Sequence, residues 1–386
     1  MAATADPSVL SSVDHIKALS QIGFGDATRT RCDFSLAQQV CVALNCVADV
    51  GFSSKRDTSM HTTKSLVNDI VNMISSPTWK STGAASVGEK RNEEAQWYGA
   101  TQQGVHAIFH LSARPEEACE AIVKTLSNDL FSASAGKTKS SSSSSSSSNL
   151  AVSPLARFVF VLGEIAIGQL AHMERLAVAT KRRRLDHEEN GGSVAINGKK
   201  GKVAAATKGK KKKNQKEEEE EESEDEGLDA MMGNNDQEAD KELELYEQIA
   251  HKLVSEGSNT MLSKYTPLVV QVARCLVTTE TDVSKGPMLR LQESVSLTLC
   301  KFMCISEKLC EENLKLLFTA LQRCKAPSVR CNIVVSLGDL YSRFPNSLTP
   351  WSKHLFERLH DEDVSVRKVR ARSLIFFSQS FCSITM

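Results

Sequence analysis

Residues 326–340 read APSVRCNIVVSLGDL and contain a short pattern, Val329-Arg330 followed seven residues after the arginine by Leu337. Two further copies keep this spacing: Leu289-Arg290 with Leu297, and Val366-Arg367 with Leu374. The three arginines are 40 and then 37 residues apart. In the first two copies a proline also stands three positions before the arginine.

A helical pattern that returns about every 40 residues is typical of HEAT and armadillo repeats. Each such repeat is a pair of helices that buries its apolar face by stacking on its neighbours. The sequence therefore predicts an all-α fold, a HEAT/armadillo-type α-solenoid built as a right-handed superhelix of helix pairs. Such a fold indicates a binding scaffold rather than an enzyme.

The composition of the 386 residues agrees with this prediction. Hydrophobic residues make up 41% and aromatic residues only 5%, so aliphatic side chains provide the core, as in helical repeat proteins. The longest apolar run, Phe158–Ala171, is too short to span a membrane and contains Glu164. We predict no transmembrane segment.

The eleven cysteines include no Cys-x-x-Cys pair, the minimum spacing for a zinc ribbon or a thioredoxin-like site. Several of them, such as Cys300, Cys304 and Cys331, occupy apolar positions of helical patterns. Because the first residues carry no signal peptide, we predict reduced, buried cysteines in an intracellular protein.

Helical repeats are predicted over residues 33–131, after a loosely ordered N-terminus at 1–32. Apolar residues recur at helical spacing in four segments, separated in the middle by a loop at Thr78–Asn92. The segments are Val40–Val47, Leu66–Ile74, Trp97–Leu111 and Pro115–Leu126.

Two low-complexity inserts interrupt the helices. Residues 132–149 include nine consecutive serines, and residues 181–241 are first basic and then acidic. Neither insert offers apolar surface to bury, so both are predicted to be disordered. Between them, residues 150–180 are predicted to form one long solenoid helix. HEAT repeats return over residues 242–386.

The second insert separates its charges. Lys181–Lys216 contains thirteen Lys or Arg against three acids, and Glu217–Glu226 is acidic at nine of ten positions. Three interpretations of the basic part stay open: a nuclear import signal, a non-specific contact with phosphate backbones, and a solvated linker. Ser223 precedes three acids and is the candidate phosphorylation site. The candidate import or phosphate-contacting residues are Lys181, Arg182, Arg183, Arg184, Lys210, Lys211, Lys212 and Lys213.

In the last third of the chain, Thr266-Pro267 and Thr349-Pro350 each predict a helix start, with threonine as cap and proline in the first turn. The repeat arginines have a structural interpretation, in which Asp361 and Arg367 form an ion pair between repeats. We favour this role over a DNA contact by Arg367. Lys368, Arg370 and Arg372 are left as candidates for an exposed basic face.

No motif predicts catalysis or cofactor binding. Gly83 and Gly88 have the spacing of a phosphate-binding loop, but Glu89 stands where that loop needs lysine. His106 and His110 lie four residues apart on a helix, without a third metal ligand nearby in the sequence. There is no nucleophile elbow and no His-Glu-x-x-His. We predict a non-enzymatic protein without a cofactor or metal.

The last repeats resemble the HEAT-repeat regulatory subunits of condensin, the condensin complex subunit 1 family. The matching segments are Leu297–Ser306 (LTLCKFMCIS), Leu314–Phe318 (LKLLF), Gly338-Asp339-Leu340, Arg343–Asn346 (RFPN), Pro350-Trp351 and His354-Leu355, with Pro115–Cys119 (PEEAC) and the Phe158–Leu170 helix upstream. The resemblance implies a scaffold that binds the kleisin and SMC subunits of condensin, with the ATP chemistry in the SMC partners. It also implies a role in mitotic chromosome condensation, a nuclear and chromosomal location with a cytoplasmic pool, and a contribution to DNA or chromatin binding.

Members of that family are much longer than this chain. The resemblance therefore predicts a partial chain, truncated within the repeat array at its C-terminus. The alternative function is a HEAT transport adaptor of the importin or coat-protein kind. An importin-like carrier is expected to lack a basic signal of its own, whereas this chain contains one at Lys181–Arg184. Neither function involves a membrane span or a small-molecule substrate.

Overall fold

A computed structural model gives the fold of the chain. It describes residues 13–24, 33–49, 56–75, 87–135, 147–195, 241–278, 286–357 and 361–368. All regular structure in these ranges is helical, and none of them contains a strand. The chain divides into two compact units, the first formed by Met1–Leu170 with His251–Met386 and the second by Ala171–Ala250.

We number the helices of the described residues in chain order. They are α1 (Val13–Phe24), α2 (Phe34–Asp49), α3 (Arg56–Ser75), α4 (Val87–Leu111), α5 (Pro115–Ala135), α6 (Ser147–Ala195), α7 (residues 241–254), α8 (Met261–Thr278), α9 (Pro287–Met303), α10 (Glu307–Arg323), α11 (Pro327–Arg343), α12 (Pro345–Leu348) and α13 (Ser352–Glu357). A short 3-10 turn, Thr349–Trp351, joins the last two.

The described part of the first unit is a stack of helices in which most contacts join helices that are adjacent or next but one in the chain. Consecutive helices pack together in α1–α2, α3–α4, α4–α5, α8–α9, α9–α10 and α10–α11. Alternate helices also pack together, in α1–α3, α2–α4, α3–α5, α8–α10 and α9–α11. This predominance of contacts between neighbours is that of a two-layered helical solenoid, because each pair buries its apolar face on the pairs beside it. The all-α solenoid prediction is confirmed.

The repeated proline explains where two of the repeat helices begin. Pro287 and Pro327 are the first residues of α9 and α11, a position where the missing N–H group costs no hydrogen bond. The helix between them, α10, begins differently, with Ser306 as its cap. The hydroxyl of Ser306 accepts a hydrogen bond from the backbone N–H of Leu309 at 3.3 Å. Because the proline begins the helix three residues earlier, Arg290 and Arg330 lie at the end of the first turn of α9 and α11.

The predicted start of α8 at Thr266-Pro267 was wrong. The helix begins at Met261, because the Thr260 hydroxyl caps it by accepting the Ser263 N–H at 3.2 Å. The Thr266 hydroxyl instead donates to the carbonyl of Leu262 at 3.2 Å, inside the helix. The second predicted start, at Thr349, lies in a 3-10 turn that continues a helical segment from Pro345.

The predicted boundaries of the irregular segments also need correction. Helix α1 lies within residues 1–32, α5 extends to Ala135, and α6 begins at Ser147 and continues past Lys181 to Ala195. The loop prediction at Thr78–Asn92 was wrong over its last residues, which belong to α4. Low complexity indicates that a segment has no apolar face to bury, but Lys, Arg and Glu are good helix formers when a helix already leads into them. The rest of both inserts, 136–146 and 196–240, lies outside the described residues.

The N-terminal half of α6 is the central core helix of the first unit. Phe158, Leu162 and Ile165 are at most 1% exposed. Two glycines allow close approach of the neighbouring helices: a Cβ atom on Gly168 would lie 2.4 Å from the ring of Phe109 on α4, and one on Gly163 would lie 2.6 Å from the Thr298 hydroxyl on α9. The α6 backbone therefore packs directly against both helices.

One stretch of α6, Val152–Arg184, is long and apolar enough to cross a membrane by length and composition alone. Two-thirds of its most apolar window, 67%, is buried inside the protein. A core helix that packs on two neighbours has the same composition, and Glu164 lies in the middle of this one in a buried ion pair. The burial accounts for the apolar character.

The described part of the second unit consists of the end of α6 and residues 241–250 of α7. Tyr246 donates a hydrogen bond to Glu174 at 3.5 Å, and Arg184 pairs with Glu242. Since the earlier residue of α6 contacts the later residue of α7, the two helices run antiparallel. Several apolar side chains of this unit remain exposed, including Leu176 and Leu243.

The nine described cysteines are free thiols. Cys41, Cys119, Cys300 and Cys310 are buried, whereas Cys46 and Cys275 are exposed. Of the three cysteines predicted to be buried, Cys300 is buried and Cys304 and Cys331 are half-buried. Burial raises the pKa of the Cys119 thiol to about 12. The pKa of Cys300 is also raised, again mainly by burial.

We expect thiol reactivity to follow this division, because the thiolate is the nucleophile and a raised pKa removes it near neutral pH. In the folded protein at pH 7.5, maleimide should label Cys46 and Cys275 within minutes and leave Cys119 and Cys300 unlabelled, as read by peptide mass spectrometry. The same reaction in concentrated urea is the control and should label all four. Rapid labelling of Cys300 in the folded protein would contradict its burial.

Candidate functional site: a groove in the last repeats

The arginine of the central repeat joins three segments of the chain. Nε and Nη2 of Arg330 donate to the two carboxylate oxygens of Asp361, at 3.0 and 2.8 Å. Its Nη1 donates to the carbonyls of Cys324 and Lys325, at 3.1 and 2.8 Å. Arg330 and Asp361 are only 9% and 7% exposed, so this is a buried, bidentate ion pair. It ties α11 to the loop before it and to the repeat that follows.

The prediction that Asp361 forms an ion pair with Arg367 was wrong, because Asp361 pairs with Arg330. Nη1 of Arg367 donates to the main-chain carbonyls of Asp361 and Glu362, at 2.6 and 2.9 Å, while the Asp361 carboxylate is held by Arg330. Asp361 and Arg367 belong to the same repeat, so their side chains cannot join two repeats. An ion pair between repeats requires the arginine of one and the acid of the next.

Arg330 and Arg367 are equivalent in another respect. Each donates from Nη1 to the carbonyls of the residues six and five positions before it, which closes the loop that leads into its helix. Arg290 differs, because its side chain is 47% exposed and lies 3.7 Å from Glu293 on the same helix. Its guanidinium carbon lies 5.6 Å from the centre of the Tyr98 ring.

A groove of about 510 Å³ opens beside the loop whose carbonyls Arg330 binds. It lies between α8, α9, α10 and the first turn of α11, and Leu276, Val277, Leu299 and Leu316 give it an apolar lining. Its volume lies within the range of about 300–1,000 Å³ that is usual for ligand pockets. The groove therefore has room for several apolar side chains of a binding partner.

The rim of the groove is basic. Arg323 and Lys325 line it and are exposed, and none of the described residues that line it is acidic. Helix α11, which begins at this rim, has no side-chain cap at Ala326. The groove therefore combines an apolar interior with a positive edge.

The ion pair holds part of this rim in place. Cys324 and Lys325 line the groove, and their carbonyls are the ones that Arg330 binds. Because the Arg330 guanidinium is itself fixed by Asp361, the position of the rim depends on the contact between two repeats. This is the supporting contact that a rigid binding site needs.

A second buried ion pair fixes the position of α6. Lys301 on α9 lies 2.5 Å from Glu164, whose side chain is 3% exposed. Nearby, Arg157 lies 4.0 Å from Glu94, and burial lowers the pKa of this arginine from its usual value. Arg157 and Glu164 are buried in the first unit, so we assign both pairs a structural role.

The candidate basic residues are placed apart from the groove residues in the chain. Lys181, Arg182, Arg183 and Arg184 are exposed on the last part of α6, in the second unit. Lys210–Lys213 and Ser223 lie outside the described residues. Lys368 is exposed, whereas Arg370 and Arg372 are not among the residues that the structure describes.

No cluster of three or more His, Cys, Asp or Glu side chains with metal-binding geometry occurs in the described parts of the chain. The rings of His106 and His110 stack with centroids 6.5 Å apart.

The groove is not predicted by the sequence pattern. Arg323 and Lys325 flank Cys324 at the end of a helix, immediately before Ala326-Pro327, and this grouping of charges at a helix–helix turn was the available signal. The apolar residues of the groove, by contrast, have the same spacing as core residues. Only the packing of α8 against α9 and α10 shows that space is left between them.

Comparison with known proteins gives a consistent result. The family described as non-SMC mitotic condensation complex subunit 1 matches residues 328–377, the segment that contains Arg330, Asp361 and Arg367. Condensin complex subunit 1 of Schizosaccharomyces pombe is 28% identical over 95% of this chain and 29% of its own length. The Xenopus laevis protein of the same name is 26% identical over 93% of this chain and 23% of its own length.

A plant relative, condensin-1 complex subunit CAP-D2 of Arabidopsis thaliana, is 27% identical over 95% of this chain. The chain spans about a quarter of the length of these relatives. The similarity extends through nearly all of the chain, and the resemblance predicted from the sequence is confirmed.

Proposed function

We propose that this chain, a relative of condensin complex subunit 1, is a non-catalytic HEAT scaffold segment that acts in mitotic chromosome condensation by binding the kleisin and SMC subunits of condensin. The observation that carries the proposal is the similarity to condensin subunits over 95% of the chain. The two-layered helical stack supports it, because solenoids present long surfaces to protein partners. A nuclear and chromosomal location is part of the same proposal.

We include a non-specific contact with DNA as a minor part of this function. Lys181–Arg184 are four exposed basic residues in succession on α6. Successive residues of an α-helix point about 100° apart, so only about two of the four can face one phosphate chain at a time. Arg184 is already paired with Glu242. The expected contribution to DNA affinity is therefore small and strongly dependent on salt.

Co-expression with the condensin kleisin and SMC pair of the same organism tests the proposal. We expect the tagged chain to recover these subunits in stoichiometric amounts through a salt wash. The matched control is the same chain co-expressed with an unrelated acidic protein of similar size. Circular dichroism on the purified chain establishes that it is folded in both cases.

Failure to recover the condensin subunits, with the chain still strongly helical, would contradict the proposal. Recovery of import or coat-complex proteins in their place would favour the transport-adaptor function instead. A measured ATPase activity of the isolated chain would contradict its non-catalytic part.

A further inference from the structure

We propose that the groove between α8, α9, α10 and α11 is a docking site for an amphipathic helix of a protein partner, with an apolar face flanked by acidic residues. This inference rests on the proposed scaffold function and specifies the surface and the chemistry of the segment bound there. The apolar interior, the basic rim and the absence of acidic residues from the part of the lining that the structure describes are the three observations that carry it.

The positive charge of the rim indicates that the bound segment of the partner carries negative charge. Arg323 ends α10 and Lys325 follows two residues later, so both cations lie on one side of the groove opening. A carboxylate that approaches this edge gains two attractive contacts and meets no acid among the described lining residues. A basic partner would face both charges without compensation.

The hydrogen bonds that its own backbone requires indicate that the bound segment of the partner is helical. An extended peptide must find hydrogen-bond partners for its own N–H and C=O groups, and these usually come from a sheet edge. The uncharged polar side chains of the described lining, Gln292 and Ser296, are too few to replace a sheet edge, and Arg323 and Lys325 can only donate. The carbonyls of Cys324 and Lys325 already accept from Arg330. A helix satisfies its backbone internally and offers apolar residues at three- and four-residue spacing, which suits a groove formed by helices.

The test uses the complete chain and two fluorescent peptides of about 18 residues, a length at which isolated helices begin to be stable. One peptide has a leucine face flanked by glutamates, and the other has lysine at every glutamate position. Fluorescence anisotropy measures binding at physiological salt. We expect the glutamate peptide to bind at least tenfold more tightly than the lysine peptide, and to gain helical circular dichroism when bound.

Two variants of the chain localise the binding. The double variant Arg323→Glu with Lys325→Glu should weaken binding of the glutamate peptide at least tenfold. Lys308→Glu with Lys315→Glu is the matched control, because both lysines are exposed on α10, neither lines the groove, and the change of net charge is identical. Ala320→Trp, at a partly exposed lining position, should block the groove without a charge change.

Absence of binding by the glutamate peptide would overturn the proposal, and so would equal loss of affinity in the two charge-reversed variants. Binding that Ala320→Trp leaves unchanged would place the peptide elsewhere and overturn it as well. The peptide assay contains no condensin subunit. Its failure can therefore be distinguished from a failure of the co-expression experiment, which tests the scaffold function itself.

Discussion

Replacing Arg330 with alanine is expected to lower the free energy of unfolding by about 3–5 kcal/mol, the cost of removing one partner from a buried ion pair. The carbonyls of Cys324 and Lys325 each lose the hydrogen bond from Arg330 in this variant. The carboxylate of Asp361 loses both of its hydrogen bonds from Arg330, although the N–H of Asp363 still donates to its Oδ1 at 3.0 Å. Asp361 is 7% exposed and cannot recover its solvation in full. Urea unfolding followed by circular dichroism at 222 nm measures the change.

The matched control is Arg290→Ala, at the same position of the preceding repeat. Its side chain is 47% exposed and its ion pair with Glu293 is long, so the expected cost is at most about 1 kcal/mol. A double-mutant cycle with Asp361→Ala separates the pair from other effects. The two single changes should together cost more than the double variant, because the second change no longer breaks an ion pair. Equal costs at Arg330 and Arg290 would contradict the geometry of the ion pair.

These two arginines show what the sequence predicts and what it does not. The Val/Leu-Arg spacing correctly predicts a fold of helical repeats. It does not distinguish an arginine that meets an acid of the next repeat from one that does not. Position 324, equivalent to Asp361 in the preceding repeat, is a cysteine, so Arg290 has no carboxylate there to bind. The ion pair thus depends on two distant residues at once.

Local sequence signals also predict the ends of the helices only in part, and they do not predict the groove. The sequence correctly predicted the start of α5 at Pro115, because a proline followed by two glutamates is a local signal. At Thr266-Pro267 a similar local signal was overridden by an earlier cap at Thr260. The groove depends on the distance between three packed helices, which no local signal reports. Local chemistry therefore predicts helices, and the contacts between helices determine the site.

The basic rim and the Arg330–Asp361 ion pair are also linked. Binding at the groove is therefore expected to respond to substitutions at a residue that does not line it. Arg330 does not line the groove, yet it holds the two carbonyls at the rim. A change at Arg330 is therefore expected to weaken binding at the groove as well as stability. A change at Arg323 should affect binding alone, since its side chain is exposed.

Replacing Leu337 with alanine is expected to cost about 2–5 kcal/mol of unfolding free energy, because its side chain is fully buried on α11 and the deletion leaves a cavity. Leu297 is the equivalent leucine of the preceding repeat and remains partly exposed on α9, where water can enter the space that alanine leaves. Leu297→Ala is thus the matched control and should cost at least about 1 kcal/mol less. Urea unfolding of the two variants measures the difference. A near-zero cost for Leu337→Ala, or a larger cost at Leu297, would show that the repeats stack with a different face inward.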